Sequence, residues 1–174
     1  MSYLDDLLVP TQFIGVDVGI HGAIALLGTD GKLVVLDMPI TSVKVGKKGK
    51  RNQIDASALS RIIGEVAKNV ALVCFEKLHA VPRDGKVGAF SFGRSYGVVQ
   101  GIMAAHKLCV LEIAPEKWKA TFKLTADKDD VRAKATKAFP DNAHLWEKAA
   151  HHDRAEAAYL ALYGLIVAQK TKKV

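Results

Sequence analysis

The apolar positions of this chain fall into two periods, and together they mark out most of its elements. Residues Phe13 to Gly19 read Phe-Ile-Gly-Val-Asp-Val-Gly, an apolar strand with one carboxylate near its end. Side chains alternate across a strand, so Phe13, Gly15 and Asp17 point one way and Ile14, Val16 and Val18 the other. Ala23 to Leu27 and Leu33 to Met38 are two more apolar runs, joined by the hairpin-type turn Thr29-Asp30-Gly31-Lys32 and ended by Pro39. The three predict an antiparallel meander. Asp55-Ala56-Ser57 then opens a helix, in which Leu59, Ile62, Ile63 and Val66 recur as one apolar stripe. Val70 to Phe75 is continuously apolar, the mark of a strand buried on both faces, and it ends in Glu76. A helix is expected from Phe90 to Lys107, a fifth strand from Leu108 to Ile113, and a helix start at Pro115. A basic helical stretch runs on to Pro140, and residues 141–150 read as a loop or short helix. The last helix begins near His152 and runs to about Ala168. Beyond its first turn it is apolar nearly all round, which predicts burial on every side. The order βββ-α-β-α-β-α-α-α gives an α/β fold with one mixed sheet and helices around it.

Three stretches break the pattern. Residues 44–51 interleave Lys44, Lys47, Lys48, Lys50 and Arg51 with Gly46 and Gly49, and read as a flexible basic loop. It is either a solvated turn or a phosphate-contacting arm. Lys77 to Ala89 is polar and turn-rich, a loop beside Glu76. Within the Phe90 helix, Gly93, Gly97 and Gly101 recur every four residues with Ala105. Each interior glycine costs about 1 kcal/mol relative to alanine. Three in register therefore imply a backbone packed closely on something, either the core sheet or a partner helix across a dimer interface.

Length, charge and cysteines narrow the class. The 174 residues suit one domain with a real core, with the structured part at about residues 12–168 between short tails. The formal net charge of +7 favours an anionic partner, nucleic acid before membrane surface. Cys74 and Cys109 are isolated in apolar surroundings with no zinc-ligand spacing, and read as two buried thiols in a reducing cytosol. The first twelve residues have no basic segment ahead of a long apolar core, so no signal peptide is expected, and no run is long enough to span a bilayer.

Candidate chemistry rests on carboxylates. An ionised group in an apolar strand is costly unless paired, so Asp17 is held either by a cation or by backbone N–H groups of the next turn. Asp17, Glu76, Asp153 and Glu156 each stand at the end of an apolar element. Asp153 and Glu156 are three apart, share a helix face, and are favoured by the helix N-terminus. Helix capping explains one such acid better than two. Carboxylate oxygens are the ligands hard divalent cations prefer, and a pair of ions about 4 Å apart can clamp the attacking and leaving oxygens of a phosphodiester. His152 either ligates or flanks the site, and Trp118 reads as core or anchor rather than a stacking platform. No G-x-S-x-G elbow, cysteine–histidine nucleophile motif or Walker-type loop is present.

Four motifs in order carry a resemblance: Ile14-Gly15-Val16-Asp17-Val18-Gly19, Phe75-Glu76-Lys77, Ser91-Phe92-Gly93-Arg94-Ser95-Tyr96-Gly97 and His152-Asp153-Arg154-Ala155-Glu156-Ala157. Over about residues 12 to 168 the chain resembles the RuvC family of Holliday junction resolvases, above all the small RuvC-like proteins of phages and prophages. The resemblance implies an RNase H-like fold whose five-stranded sheet has its first and fourth strands adjacent, with Asp17 beside Glu76 and the final helix delivering Asp153 and Glu156. It implies that these four acids are catalytic and hold two Mg²⁺ ions, with Mn²⁺ as substitute. It implies a homodimer, in which Gly93, Gly97 and Gly101 fall where the family's interface helix lies. Its substrate would be branched DNA, the four-way junction, cut in pairs to leave 5′-phosphate ends. No nucleotide cofactor or membrane is expected, and the setting is the cytoplasm of a bacterial or phage-infected cell. The cations expected to meet the DNA backbone are Lys47, Lys48, Lys50, Arg51, Lys77, Arg83, Lys86, Arg94, Lys117 and Lys119. The chain departs from the family pattern in the loop after Glu76 and in having Glu at position 156. Alternatives are another RNase H-like nuclease acting on hybrid or flapped DNA with the same acids, and a non-catalytic junction-binding protein. An actin-like or sugar-kinase ATPase also begins with G-x-D-x-G, but needs two such domains.

Overall fold

The structure is a computed structural model that describes residues 11–46, 49–77 and 85–171. Its centre is a five-stranded sheet built from β1 (Gln12–Asp17), β2 (Ala23–Gly28), β3 (Leu33–Asp37), β6 (Val70–Glu76) and β7 (Val110–Ile113), in the spatial order β3-β2-β1-β6-β7. The first three strands pair antiparallel, while β6 pairs parallel to β1 and β7 parallel to β6. The predicted meander and the adjacency of first and fourth sheet strands are both present.

Helices cover the two faces. On one lie α1 (Ala56–Val66) and α2 (Lys86–Ala105), which share a core with Ile14, Val16, Ile24 and Leu26. On the other lies α5 (His152–Thr171), itself covered by α3 (Pro115–Thr121) and α4 (Lys128–Ala138). The strand alternation sorts the residues as expected: Ala23, Ala25 and Leu27 face α5, with Ile24 and Leu26 opposite. Small residues on the α5 face let that helix lie against the sheet backbone. A Cβ added at Gly15 would collide with the Ala157 carbonyl oxygen and the Ala161 amide nitrogen. The all-round apolar sequence of α5 follows from its position between sheet and outer helices, with Ala157, Ala158, Leu160 and Ala161 fully buried. Asp55 caps α1, accepting from the Ala58 amide at 3.0 Å, and Asp127 caps α4, accepting from the Asp129 amide at 2.8 Å. Pro115 stands at the start of α3 as expected. Pro140–Trp146 and Ala149–His151 are short 3₁₀ turns leading into α5.

Three expectations change, and one of two open alternatives falls. The basic loop is a β-hairpin: β4 (Ile40–Val45) and β5 (Gly49–Ile54) pair antiparallel outside the main sheet. β4 is rich in β-branched residues, and the Ser42 hydroxyl donates across the pair to Asn52 Oδ1 at 2.6 Å, a cross-strand contact that the lysine and glycine content had masked. Helix α2 starts at Lys86, four residues before the expected Phe90, with the Ala89 amide already bonded to the Gly85 carbonyl. Cys74 is buried, and burial pushes its thiol up to about 12, but Cys109 is exposed just ahead of β7. Lastly, nothing lies within 4 Å of a Cβ placed on Gly93, Gly97 or Gly101, so the glycine stripe does not pack on this chain's own sheet. Among the described residues no helix is long and apolar enough to cross a membrane.

Candidate active site

The parallel pairing of β1 with β6 sets Val16 opposite Phe75, so the next residues, Asp17 and Glu76, stand side by side at the C-terminal ends of neighbouring strands. The first turn of α5 reaches the same edge. One carboxylate oxygen each from Asp17, Asp153 and Glu156 lie within 4.8 Å of one another. Glu76 stands outside that trio, but close enough for its charge to act on Asp17.

Burial holds the Asp17 carboxyl well above the usual carboxylate range, and the charges of Asp153, Glu156 and Glu76 push it the same way. Burial also raises Glu76, against the opposing effect of a hydrogen bond from Trp118. Three carboxylates gathered so closely repel one another, and a divalent cation supplies the missing charge with the oxygen ligands it prefers. The donor set therefore fits a hard metal ion, held by Asp17, Asp153 and Glu156 with Glu76 beside them.

Three of the four acids have a partner that fixes them. Trp118 is fully buried, and its indole N–H donates to Glu76 Oε1 at 2.9 Å. Lys119, the next residue on α3, donates from Nζ to Glu156 Oε1 at 2.9 Å, with the ammonium 5.1 Å from the Trp118 ring centre. His152 Nε2 lies 2.5 Å from Asp153 Oδ1 and 2.6 Å from Lys128 Nζ, while its Nδ1 faces the Ala149 carbonyl at 3.1 Å. A carbonyl can only accept, so the Nδ1 contact is a hydrogen bond in the tautomer that carries the proton there. His152 thus flanks Asp153. Behind the site Arg154 makes a two-pronged pair with Asp37 at 2.6 and 2.7 Å, tying the end of β3 to the first turn of α5 and holding the Asp37 carboxyl down.

The expected DNA contacts separate into groups. Lys50 is exposed on the hairpin, and Arg51 beside it donates to the Val87 carbonyl at 3.2 Å, bridging the hairpin to α2. Lys77, Lys86, Arg94 and Lys117 are exposed. Lys119 departs from the expectation of a surface contact, because its ammonium is half-buried inside the carboxylate site. Lys47, Lys48 and Arg83 lie outside the described residues. The roles of Trp118, Lys119 and Lys128 around the acids were missed. For Trp118 one signal existed, since a buried indole N–H needs an acceptor.

No family model matches the chain, and no curated protein matches it in sequence. Solved structures do. The T. thermophilus RuvC in complex with a Holliday junction substrate aligns over 90% of this chain and 94% of that one, at 17% identity and a TM-score of 0.52. A second T. thermophilus RuvC structure covers 91% and 95%, at 17% identity and a TM-score of 0.50. The yeast mitochondrial Holliday junction resolvase Ydc2 covers 88% and 79%, at 11% identity and a TM-score of 0.48. At this identity the likeness is one of architecture, and the strand order, the two helix layers and the position of α5 give this chain the RNase H-like fold of RuvC.

Proposed function

We propose that this chain is a metal-dependent, structure-selective endonuclease that resolves four-way and other branched DNA junctions, acting as a homodimer in the cytoplasm of a bacterial or phage-infected cell. The observation that carries this reading is the meeting of Asp17, Asp153 and Glu156 within 4.8 Å, with Glu76 alongside. When bound, Mg²⁺ or Mn²⁺ ions would activate a water and stabilise the leaving 3′ oxygen, so that products carry 5′ phosphates. The protein's own part is to hold the ligands. Asp17 comes from a strand end, Glu76 is oriented by Trp118, Glu156 by Lys119, and Asp153 by His152. Burial and the neighbouring carboxylates raise the Asp17 carboxyl, so a metal ion competes with a proton there and affinity rises with pH through that raised range.

The exposed cations of the hairpin and of the catalytic edge supply backbone contacts without sequence information. Six to eight such contacts per dimer would give a log–log salt slope of roughly −5 to −7. The dimer face is the open side of α2, where the glycine stripe runs on from Val87 and Phe90, 68% and 70% exposed. The deciding experiment is cleavage of a synthetic four-way junction beside linear duplex and RNA–DNA hybrid, with and without Mg²⁺. Mg²⁺-dependent paired cuts in the junction alone are expected. Equal cutting of duplex or hybrid would make the protein a nuclease without junction selectivity. Cutting that survives Asp17→Asn would remove the metal-site reading.

A further inference from the structure

Part of the sheet is left without a helix over it. On the α1 face, Ile14, Val16 and Ile24 are buried under α1 and α2, but Val34 and Leu36 of the edge strand β3 remain 54% and 38% exposed. With Leu26, Ile62 and Val66 they form an apolar cleft of about 420 Å³ between β3 and the flank of α1. Gln12 lines it too, so the cleft opens beside the N-terminal end of β1, while the carboxylates stand at the other end of that strand. Open apolar area on an edge strand invites association, and folds usually cover it.

The sequence holds a candidate cover. Ahead of Thr11 stand Leu4-Asp5-Asp6-Leu7-Leu8-Val9-Pro10, outside the described residues. Leu4, Leu7 and Leu8 recur at helical spacing, and Asp5 and Asp6 fall on the opposite side of that wheel. Pro10 ends the pattern, because it disfavours the helical region at Val9. A stripe this short is not stable as a helix alone and needs a surface to lie on.

The chain enters the described structure at the mouth of the cleft. The Thr29 amide donates to the Thr11 carbonyl at 2.9 Å, which fixes the point of entry. Next to it, the Gln12 side-chain oxygen is buried and has no hydrogen-bond partner among the described residues. A buried carbonyl oxygen calls for a donor, and a chain passing over it carries backbone N–H groups. The spacing also fits. Val34 lies two strands across from the start of β1, about 10 Å away, and three residues reach at most about 10–11 Å, so Leu8 can lie on Val34. From Val34 to Leu36 is about 6.6 Å along the strand, and from Leu8 back to Leu4 about 6 Å along a helix.

We propose that residues 1–10 close this cleft, with Leu8 and Leu4 seated on Val34 and Leu36, and Asp5 and Asp6 turned to solvent. The occupant is the chain's own N-terminal segment, because a tether of three residues holds it at an effective concentration that a free partner does not match. The inference stands apart from the nuclease reading, since this surface lies at the end of β1 away from the carboxylates.

Two measurements on the full chain, without DNA or metal, test it. The exposed Cys109 is first replaced by serine. Leu8→Cys is then combined with Val34→Cys, or with Lys137→Cys on α4 across the other face of the sheet, and each pair is oxidised by glutathione. An intramolecular disulfide to position 34, formed on the order of tenfold faster than to position 137, is expected. Equal rates overturn the proposal, and a disulfide between two chains at position 34 gives the cleft to a second copy instead. The second measurement is a thermal cycle. Val34→Asp and the double change Leu4→Asp with Leu8→Asp should each lower Tm by about 3–8 °C. Once the leucines are gone, Val34→Asp should cost less than half as much, because the contact it breaks is already lost. An undiminished loss in that background shows that the segment does not cover Val34 and overturns the proposal.

Discussion

Replacing Gly15 with alanine adds one methyl group at the point where β1 and α5 touch. The new Cβ would fall against the Ala157 carbonyl oxygen and the Ala161 amide nitrogen, nearer than the 3.0 Å that real Cβ atoms essentially never breach, and would sit 3.0 Å from the Leu160 carbonyl carbon. All three atoms belong to the backbone of α5, so no side chain can rotate away, and the helix must retreat by roughly 1 Å. Removing a glycine constrains the unfolded chain and gains about 0.4–1 kcal/mol. Overpacking costs about 1–3 kcal/mol, so the net effect is destabilising, by up to a few degrees in Tm for a chain of this size. The larger effect is on chemistry. Asp17 lies two residues beyond Gly15 on β1, and Asp153 one helical turn before Ala157 on α5, so the retreat separates the acids that must meet. A misplacement of about 1 Å costs on the order of 100-fold in rate. Calorimetry and single-turnover junction cleavage across a Mg²⁺ titration measure both effects. A protein that melts cooperatively but cuts about 100-fold slower and needs more Mg²⁺ is expected. Wild-type melting with a rate within about twofold of wild type would show that α5 does not ride on β1 as described.

Three further outcomes follow from the same geometry. The folded-state pKa of Asp17 is raised above its ordinary 3.8, so its contribution to stability is complete below the ordinary carboxyl range and is lost as pH rises through the raised value. In EDTA, Asp17→Asn should therefore match the wild type in acid and melt higher at neutral pH, and identical melting across the whole range would contradict the repulsive cluster. Trp118→Phe removes a hydrogen bond to a charged group, a loss of about 1.5–3 kcal/mol, and lets the Glu76 carboxyl rise further. The acid limb of the pH–rate profile should move to higher pH, and an unmoved limb would leave Trp118 a core residue only. Gly97→Leu meets nothing within 4 Å and improves helix propensity by up to about 1 kcal/mol, so monomer folding should survive. Light scattering should then show a monomer, and a persistent dimer would take the interface away from this stripe.

Much of the arrangement was legible in the sequence because its elements obey one period each. The pattern set Asp17 and Glu76 at the ends of two buried strands, the resemblance to RuvC made those strands neighbours, and the greasy run after Glu156 could only be a helix enclosed on all sides. The hairpin was not legible. Its lysines and glycines dominate a composition reading, whereas its pairing depends on the register of Ser42 with Asn52 across a short tip. The supports of the carboxylates were hidden for another reason. Trp118 and Lys119 lie more than thirty residues from the acids they touch, and nothing local distinguishes a lysine that neutralises Glu156 from one on a solvated face. Nor does spacing reveal that Glu76 turns toward an indole while the other three acids draw together.

The enclosure of α5 also bears on how the site is lost. Asp153 and Glu156 stand at the start of a helix whose following turns are fully buried, and Asp17 on a strand bonded on both sides. The amides of those buried turns and of β1 are expected to exchange with solvent only when the whole chain opens, whereas the β4–β5 pair stands outside the main sheet and is expected to open at lower cost. The clustered carboxylates therefore share the lifetime of the native state, and the basic hairpin proposed to contact DNA does not. On that proposal, gentle heating or mild denaturant would first weaken the hold on DNA while the carboxylates still stand in place.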